Sequence, residues 1–274
     1  MPSPTIEQLS PRDILVVARL RMEVAAHLAA ATAGVDPSLA EAARRPFLLK
    51  LSCPGCPPAY VSCRKGSTAH PLSLRAVSGG ERPKGLVSLT LRFTSPRACA
   101  KALSGGGGMP IPVPGGPGAF AALRWFRAAA PRAGAALSDA AIPVAARARL
   151  AATAAVFGLA AVGSADPWLT DRLAHMPDGS VAVIAEGSFS LGLQKSGRTI
   201  AAFNEAPEHP SARLEFAGPE AALAVLSGRR PAVVALGSGE VAIRGLLPLV
   251  QGFFGVMDRL SDLLAVRAFT GGER

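Results

Sequence analysis

The chain contains few residues of the kinds that mark disulfide-bonded, secreted or membrane-spanning proteins. It has four cysteines, one tyrosine and two tryptophans among 274 residues. Four cysteines in a chain of this length do not form a disulfide framework, and no basic segment followed by an apolar run stands at the start. We therefore expect a cytoplasmic protein that folds without disulfides and uses no cofactor.

Long hydrophobic runs are also missing, although 49% of the residues are hydrophobic and the mean hydropathy is +0.31. The most apolar segments, 150–162 and 246–257, are shorter than the roughly 20 residues that a transmembrane helix needs. The second segment contains Gln251 and is followed by Asp258. These lengths predict core helices of a soluble protein.

Acidic residues are scarce in the first half of the chain. Residues 1–140 contain 17 Lys and Arg against 7 Asp and Glu, whereas residues 141–274 contain 12 of each kind, so the net charge of +10 belongs to the first half. Such an excess favours transient contact with an anionic membrane or with nucleic acid. Compositional drift is the alternative explanation.

Two parts of the chain repeat one another. At one constant offset, seven residues match seven others: Ser88, Leu91, Phe93, Pro96, Leu103, Ser104 and Gly105 with Ser211, Leu214, Phe216, Pro219, Leu226, Ser227 and Gly228. A second block, which includes Asp36 with Asp166 and Lys65 with Lys195, matches at a slightly larger offset. Two blocks in register indicate a tandem duplication. We therefore predict two homologous domains, residues 1–140 and 141–274.

Each repeat is predicted to be an α+β domain. Helical periodicity is followed by short alternating runs, which predict strands at 47–52, 60–65, 72–77 and 86–93 in the first repeat and at 181–185, 188–193, 199–203 and 212–216 in the second. The turns between the first three strands predict a meander. After the fourth strand a short helix is predicted to begin at a proline, with Ser95-Pro96 and Gly218-Pro219 as the cap candidates. Residues 240–244 are the predicted fifth strand of the second repeat, and an amphipathic helix closes the domain. In the first repeat, the prolines of MPIPVPGGPG predict that this strand is lost or frayed, and Pro131 predicts an interrupted closing helix.

The stretch from Leu214 to Leu260 resembles the sterol carrier protein 2 family. The resemblance is carried by a strand with an aromatic end at Phe216, by a helix that ends in a leucine–small–glycine turn, and by a glycine-flanked strand at 239–245. It covers roughly the last hundred residues and, more weakly, residues 40–137. The first repeat departs from the pattern, because a glycine run at 105–108 and prolines stand in place of the glycine-flanked strand.

The resemblance implies an α+β fold with an apolar tunnel between a five-stranded sheet and helices. Members of the family hold fatty acyl chains, sterols or other lipids, as free carriers, as domains fused to lipid-metabolising enzymes, or as accessory factors in quinone biosynthesis. None of the shared motifs is catalytic. The resemblance therefore implies a binding protein rather than an enzyme.

Ten apolar residues of the second repeat are the candidate lipid-binding residues. They lie on predicted strands and on the closing helix: Phe189, Leu191, Leu193, Leu214, Phe216, Leu249, Phe253, Phe254, Met257 and Leu260. Phe189, Leu191 and Leu193 alternate with Ser190 and Gly192, so they share one face of a sheet. We expect the flexible Met257 and the glycines at 252 and 255 to let the helix adapt. A filled core is the alternative, because any amphipathic helix on a sheet has this pattern.

Other residue patterns indicate little chemistry. Cys53, Cys56 and Cys63, with His70 further along, have a spacing that zinc ligands can adopt. The first cysteine pair lacks a second pair, so incidental cysteines in a loop are the preferred interpretation. The glycines at 105–108 lack the lysine of a phosphate-binding loop. Trp125 shares a helix with alanines and is expected in a core, so we predict no binding to nucleic acid.

The sequence therefore predicts non-catalytic binding or transfer of a lipid, such as a fatty acyl chain, a sterol or an isoprenoid-like molecule. The second domain would hold the ligand, and the basic first domain would contact an anionic membrane or a partner enzyme. A scaffold or accessory subunit of a lipid- or quinone-metabolising enzyme, with filled cores and no ligand, is the alternative. An enzyme that uses the cysteine cluster is a third hypothesis, which metal analysis would test.

Overall fold

The computed structural model of the protein describes residues 4–43, 45–65, 72–77 and 83–266. The chain divides into two compact units. Unit 1 comprises Met1–Gly134 with Ser261–Arg274, and unit 2 comprises Ala135–Leu260. The division of the sequence into domains 1–140 and 141–274 stays a prediction.

Unit 1 consists of helices and one mixed sheet. After a short 3-10 turn at Ile6–Gln8, its elements in chain order are α1 (Pro11–Ala33), α2 (Pro37–Ala43), β1 (Phe47–Ser52), β2 (Ala59–Lys65), β3 (Leu72–Val77), β4 (Leu89–Arg92), α3 (Pro96–Ala102), β5 (Ile111–Pro114) and α4 (Ala119–Ala135).

Unit 2 has the same kinds of element in the same order, with one additional short helix. Its elements are α5 (Val144–Gly163), α6 (Pro167–Ala174), β6 (Gly179–Ala185), β7 (Phe189–Ser196), β8 (Thr199–Phe203), β9 (Ala212–Phe216), α7 (Pro219–Leu226), α8 (Ala232–Gly237), β10 (Val241–Gly245) and α9 (Leu247–Ala265), of which residues up to Leu260 belong to this unit.

The two sheets have one topology. The strand order is β3-β2-β1-β4-β5 in unit 1 and β8-β7-β6-β9-β10 in unit 2. Neighbouring strands are antiparallel, except that β1 is parallel to β4 and β6 is parallel to β9. The predicted α+β class, with a five-stranded sheet and helices in each unit, is confirmed.

Strand register corrects one of the sequence matches. Leu51 lies beside Leu91 in unit 1, and Val183 lies beside Leu214 in unit 2. Following these pairs to the next strand places Cys63 of β2 at the position of Lys195 in β7. The match of Lys65 with Lys195 is therefore wrong by two residues, because the sheet and the preceding helices have different offsets.

Several helices begin at a polar cap followed by proline. The Ser10 side chain accepts a hydrogen bond from the Asp13 N–H (3.1 Å), Ser95 from Ala98 (3.1 Å), and Asp166 from Trp168 (2.9 Å). Proline suits the next position, because the first N–H groups of a helix have no partner within the helix. Helices α2 and α6 follow Asp-Pro in this way and were not predicted, since they are too short to show periodicity.

The first sheet keeps its fifth strand, so the prediction that it is lost or frayed is wrong. β5 pairs antiparallel with β4 from Ile111 to Pro114. The N–H of Gly115 donates to the Ser88 carbonyl (2.9 Å), and every second residue before it points the same way. The backbone nitrogens of Pro112 and Pro114 therefore point away from β4, so their lack of an N–H removes no hydrogen bond between the two strands.

The closing helix of unit 1 continues through Pro131, so its predicted interruption is also wrong. Trp125, Ala129 and Ala133 form a buried stripe on both sides of the proline. Tertiary packing of such a stripe contributes more to helix stability than local propensity does. One lost backbone hydrogen bond is tolerated for this reason.

In each unit an arginine of the closing helix pairs with the aspartate that precedes the short helix. Arg132 lies 3.5 Å from Asp36 in unit 1, and Arg259 lies 2.9 Å from Asp166 in unit 2. The Asp36 side chain is 29% exposed, whereas that of Asp166 is 5% exposed. The same contact is therefore at the surface in one unit and enclosed in the other.

Among the residues that the structure describes, one helix, α5, is long and apolar enough to cross a membrane by length and composition. It is longer than the segment 150–162 from which a span was excluded. Of its most apolar 18-residue segment, 67% is buried within the protein, and the helix packs against β7, β8 and α7. This burial is that of a core helix.

Candidate functional site

The candidate site is built on one face of the second sheet, which we call the inner face. Strand pairing places apolar residues in rows across β7, β6 and β9: Phe189 with Ala185 and Phe216, Leu191 with Val183 and Leu214, and Leu193 with Val181 and Ala212. Residues opposite each other across neighbouring strands point to the same side. All five predicted strand residues of the lipid site therefore share this face.

The two phenylalanines meet across a small residue. Phe189 and Phe216 are two strands apart, and Ala185 lies between them. Their ring centroids are 6.2 Å apart in an edge-on arrangement, within the range of favourable aromatic pairs. They close one end of the inner face.

The other end of the inner face is Lys195, which sequence analysis did not include in the site. It continues the alternation of Phe189, Leu191 and Leu193 along β7, and it lies opposite Gly179 of β6. Its side chain is 2% exposed, and its ammonium donates to the Asp178 carboxylate (2.7 Å) and to the Met176 carbonyl. The hydrogen bond from Lys195, with one from the Gly197 N–H, lowers the pKa of Asp178.

The strand pattern contained the signal for Lys195. A lysine two positions after Leu193 must share its face, although long charged side chains are rarely buried without a partner. The partner, Asp178, lies 17 residues earlier, just before β6. The pairing depends on the β6–β7 register, which periodicity alone does not specify.

Helices cover the inner face. α5 packs at the β8 edge, where a Cβ on Gly163 would lie 2.9 Å from Ile200 Cδ1. α9 packs at the Lys195 end, where Leu249 Cδ2 lies 3.0 Å from the point that a Cβ on Gly179 would occupy. The absence of side chains at these glycines lets each helix approach the sheet closely.

The side of α9 formed by Gly252, Gly255 and Arg259 packs on the α6 segment. A Cβ on Gly252 would lie 2.7 Å from the Met176 sulfur, and one on Gly255 would lie 2.8 Å from the Arg172 guanidinium carbon. The Arg259–Asp166 ion pair extends this contact. These glycines are thus sites of close helix approach, whereas their predicted role in letting the helix adapt stays a prediction.

The ten predicted residues differ in burial. Seven are at most 6% exposed: Phe189, Leu191, Leu193, Phe216, Leu249, Phe253 and Leu260. Leu214, Phe254 and Met257 are half-buried. On α9, Leu249, Phe253 and Leu260 form one buried stripe, and Phe254 with Met257 lies on its flank, as expected for 3.6 residues per turn. The assignment of these ten residues to a lipid site stays a prediction.

Two surface depressions have described residues as their lining. One of about 460 Å³ in unit 2 is lined by Ala174, Met176, Asp178, Lys195, Gly197 and Arg198. One of about 200 Å³ in unit 1 is lined by residues that include Phe47, Arg64 and Lys84. None of the ten predicted residues lines either depression. The larger one opens beside the buried ammonium of Lys195.

The cysteines are arranged differently from the predicted cluster. Cys53 forms thiol hydrogen bonds with Cys56, which lowers its pKa, and with Cys99, which together with burial raises it to about 12. The bond with Cys53 raises the pKa of Cys56, and burial raises that of Cys63 to about 11. The pKa values of all three thiols are thus above the usual range, which disfavours the thiolate that a nucleophilic cysteine needs.

The candidate ligand His70 lies outside the described residues. Within residues 4–43, 45–65, 72–77 and 83–266, no group of three or more His, Cys, Asp or Glu residues is arranged to hold a metal ion. The cysteines therefore provide no candidate centre in the described part of the chain.

Comparison with known proteins identifies no family for this chain. No protein-family model matches, and no curated protein matches. Among solved structures, UbiJ-SCP2, a ubiquinone synthesis protein, is 23% identical, with 35% of this chain and 82% of that chain covered and a TM-score of 0.30. A double mutant of the sec-alkyl sulfatase PisA1 is 12% identical, with 64% of this chain and 24% of that chain covered and a TM-score of 0.26. TM-scores this low do not establish a shared fold.

Proposed function

We propose that unit 2 binds a lipid reversibly and without catalysis, between the inner face of its sheet and α9. The ligand would be a fatty acyl chain, a sterol or an isoprenoid-like molecule. The observation that carries this proposal is the polarity of the inner face, which is apolar from Phe189 to Leu193 and ends at the buried ammonium of Lys195. This is the polarity of an amphiphile with an anionic head.

The dimensions of the inner face suit such a ligand. Phe189 and Lys195 are six residues apart on β7, which corresponds to about 20 Å of strand. A lipid tail along this path would gain about 0.8 kcal/mol for each methylene removed from water. Affinity would therefore come from the tail, and selection among lipids from the Lys195 end.

The depression beside Lys195 can accept an anionic head. A lysine ammonium has three donors, of which the contacts to Asp178 and the Met176 carbonyl use two. The Asp178 side chain is 63% exposed, so it can turn into solvent and leave its place to a carboxylate or phosphate. Arg198, which is exposed, supplies a second cation in the lining.

We propose that α9 moves to admit the tail. Met176 and Arg172 occupy the places on α9 where Gly252 and Gly255 have no side chain. Both side chains are long and flexible, so they can stay in contact with the helix when it moves. Met176 also lines the depression beside Lys195. It therefore lies between the depression beside Lys195 and α9.

The alternative function is that of an accessory or scaffold subunit with filled cores, serving a lipid- or quinone-metabolising enzyme. The observation that favours it is the tight burial of seven of the ten predicted residues, none of which lines either surface depression. In this alternative the apolar face of α9 is only a core contact.

We also infer that the two units arose by tandem duplication, with domains at 1–140 and 141–274, and that neither is an enzyme. The shared strand order and the paired Arg132–Asp36 and Arg259–Asp166 contacts support the duplication. Unit 1 would then bring the carrier to a membrane or to a partner enzyme, in keeping with its basic charge.

Native mass spectrometry of the purified full-length protein, followed by organic extraction, separates the two functions. A carrier shows a discrete adduct that extraction removes, and the extract identifies the lipid. A bare mass, together with no uptake of added fatty acid, would contradict the carrier function. A stoichiometric partner protein recovered by crosslinking would then support the accessory function.

The Lys195→Met variant tests the polarity of the site. We expect the wild type to bind a fatty acid about tenfold more tightly than its methyl ester, since a hydrogen bond to a charged group contributes about 1.5–3 kcal/mol. The variant should lose this preference and keep its affinity for the ester. Displacement of a fluorescent fatty acid measures both.

Lys50→Met, which removes a lysine from unit 1, is the matched control and should leave the preference intact. If the wild type and Lys195→Met preferred the fatty acid over its methyl ester to the same extent, the lipid headgroup would not lie beside Lys195, even if a lipid is bound.

A further inference from the structure

The outer face of the first sheet combines cations with exposed aliphatic side chains. Lys50, Thr90 and Val113 form one row across β1, β4 and β5, and Ser52, Arg92 and Ile111 form the next. Arg92 is exposed, Ile111 is 50% exposed and Val113 is 45% exposed. We call Lys50, Arg92, Ile111 and Val113 the basic face.

These four side chains are close together. Neighbouring strands are about 4.8 Å apart and successive residues on one face about 6.7 Å apart, so two rows across three strands fit within roughly 12 Å. The five strands of the first sheet carry five Lys and Arg, and no Asp or Glu occurs among these described strand residues. No carboxylate on the strands neutralises the basic face.

The equivalent positions of unit 2 differ in charge. Register places Glu215 at the position of Arg92, Arg244 at that of Val113, and Ala242 at that of Ile111. Glu215 and Arg244 form an ion pair of 3.0 Å. The second sheet therefore carries an ion pair where the first sheet carries a cation and two branched aliphatic side chains.

The edge of the first sheet cannot recruit another strand through its prolines. Pro112 and Pro114 are the residues of β5 that point outward, as the hydrogen bond from Gly115 to Ser88 shows. A strand that added to this edge would find no N–H donor at either position. Addition of a partner strand at the edge beside the basic face is therefore disfavoured.

We propose that the basic face is a docking surface for an anionic lipid bilayer. Lysine and arginine near a membrane surface interact with anionic headgroups, and exposed aliphatic side chains beside them enter the boundary between headgroups and acyl chains. Nucleic acid would use the cations but would leave Ile111 and Val113 in water, since its binding surfaces carry aromatic side chains for stacking. The purpose of the surface rests on the proposed carrier function, whereas its test does not.

Vesicle binding of the full-length protein tests the proposal. The probes are phosphatidylcholine vesicles with and without about one third phosphatidylserine, and cosedimentation measures the bound fraction. We expect binding only to the anionic vesicles, weakened by salt. Arg92→Gln and Lys50→Gln should each lower the affinity about fivefold, from about 1 kcal/mol for each cation.

The double variant Ile111→Ser with Val113→Ser should lower vesicle affinity roughly tenfold without a change in net charge. Arg213→Gln is the matched control for the cations, because Arg213 is exposed and occupies the Thr90 position on the second sheet. Thermal unfolding of every variant should stay close to that of the wild type, since the substituted side chains are exposed or half-buried.

Three results would overturn the proposal. If the wild-type protein does not bind anionic vesicles, it has no such docking surface. If Arg213→Gln and Arg92→Gln lower the vesicle affinity equally, the net charge of the protein alone determines binding. The protein could instead bind a single-stranded oligonucleotide tightly and fail to bind vesicles. If the double variant Ile111→Ser with Val113→Ser left the oligonucleotide affinity unchanged, the cations would be assigned to nucleic acid. Each result leaves the lipid cargo measured by mass spectrometry unaffected.

Discussion

Units 1 and 2 have the same strand order and the same parallel pair of central strands, yet they differ on the outer face of the sheet and at one end of its buried face. At the outer face, Arg92 stands at the position of Glu215. On the first sheet, Cys63 stands at the position that Lys195 has at the end of the inner face of the second sheet. The shared frame therefore depends on buried apolar rows, while the faces and ends are free to carry different functions.

The differences are complementary. Unit 2 has a buried cation, Lys195, at the end of an apolar face, and the helix α9 approaches closely through Gly252 and Gly255. Unit 1 has Cys63 at the equivalent position, and its cations Lys50 and Arg92 lie on the outer face of its sheet. Under the two proposals, unit 2 would hold the cargo and unit 1 would dock on the membrane, and each proposal can be tested by substitutions at equivalent positions.

Truncation of equivalent leucines gives the largest expected effect. Leu91 is 1% exposed, whereas its counterpart Leu214 is half-buried. Leu91→Ala should lower the free energy of unfolding of unit 1 by about 2–5 kcal/mol, and Leu214→Ala should cost unit 2 about half as much, because the cost grows with the cavity left behind.

Amide hydrogen exchange of the full-length protein, read separately for peptides from β1 and β6, assigns each loss to its unit. The untouched unit in each variant serves as the internal control. Equal losses in the two units would mean that Leu214 lies in a filled core, and this would weigh against the carrier function and for the accessory one.

The paired aspartates sharpen the comparison at the closing helices. Asn is as good a helix cap as Asp, so Asp166→Asn removes the charge opposite Arg259 and keeps the cap. The Asp166 side chain is 5% exposed and that of Asp36 is 29% exposed. We expect a loss of about 1–3 kcal/mol for Asp166→Asn, and of under about 1 kcal/mol for Asp36→Asn.

Thermal unfolding measures both losses, and a double-mutant cycle with Arg259→Gln isolates the ion pair. If the two aspartate variants lost the same stability, the enclosed ion pair of unit 2 would be no stronger than the exposed pair of unit 1. α9 would then be held by its apolar stripe alone.

Much of this comparison was predictable from sequence. Alternation predicted the strands 47–52, 72–77, 199–203 and 212–216 with the bounds that the structure has, because each alternating run is bounded by turn residues. The Ser95-Pro96 cap was also predicted correctly. These features depend on neighbouring residues only, and this is why they could be read without a structure.

The remaining features depend on register or on packing between distant elements. Whether Pro112 breaks β5 depends on which side of the strand faces β4, and composition does not contain that information. The same holds for Lys195, whose burial requires Asp178 and the β6–β7 pairing. The contact of Gly252 with Met176 could not be predicted either, since the short helix α6 was not recognised.

The edge strands provide the smallest expected effect. Pro112 occupies the position of Ile243, whose N–H points outward from β10 by the same alternation. Pro112→Ile should therefore give the first sheet an outward donor and raise the self-association constant about fivefold, since a net backbone hydrogen bond contributes about 0.5–1.5 kcal/mol. Sedimentation velocity at several protein concentrations measures this constant.

Pro117→Ile, which changes an exposed proline in the turn after β5, is the control and should leave the constant unchanged. Association that rose equally in both variants would reflect added apolar surface rather than the donor. An unchanged constant for Pro112→Ile would mean that the prolines do not protect this edge from strand addition. The edges of β5 and β10 would then be equivalent, and either of them could accept a partner strand.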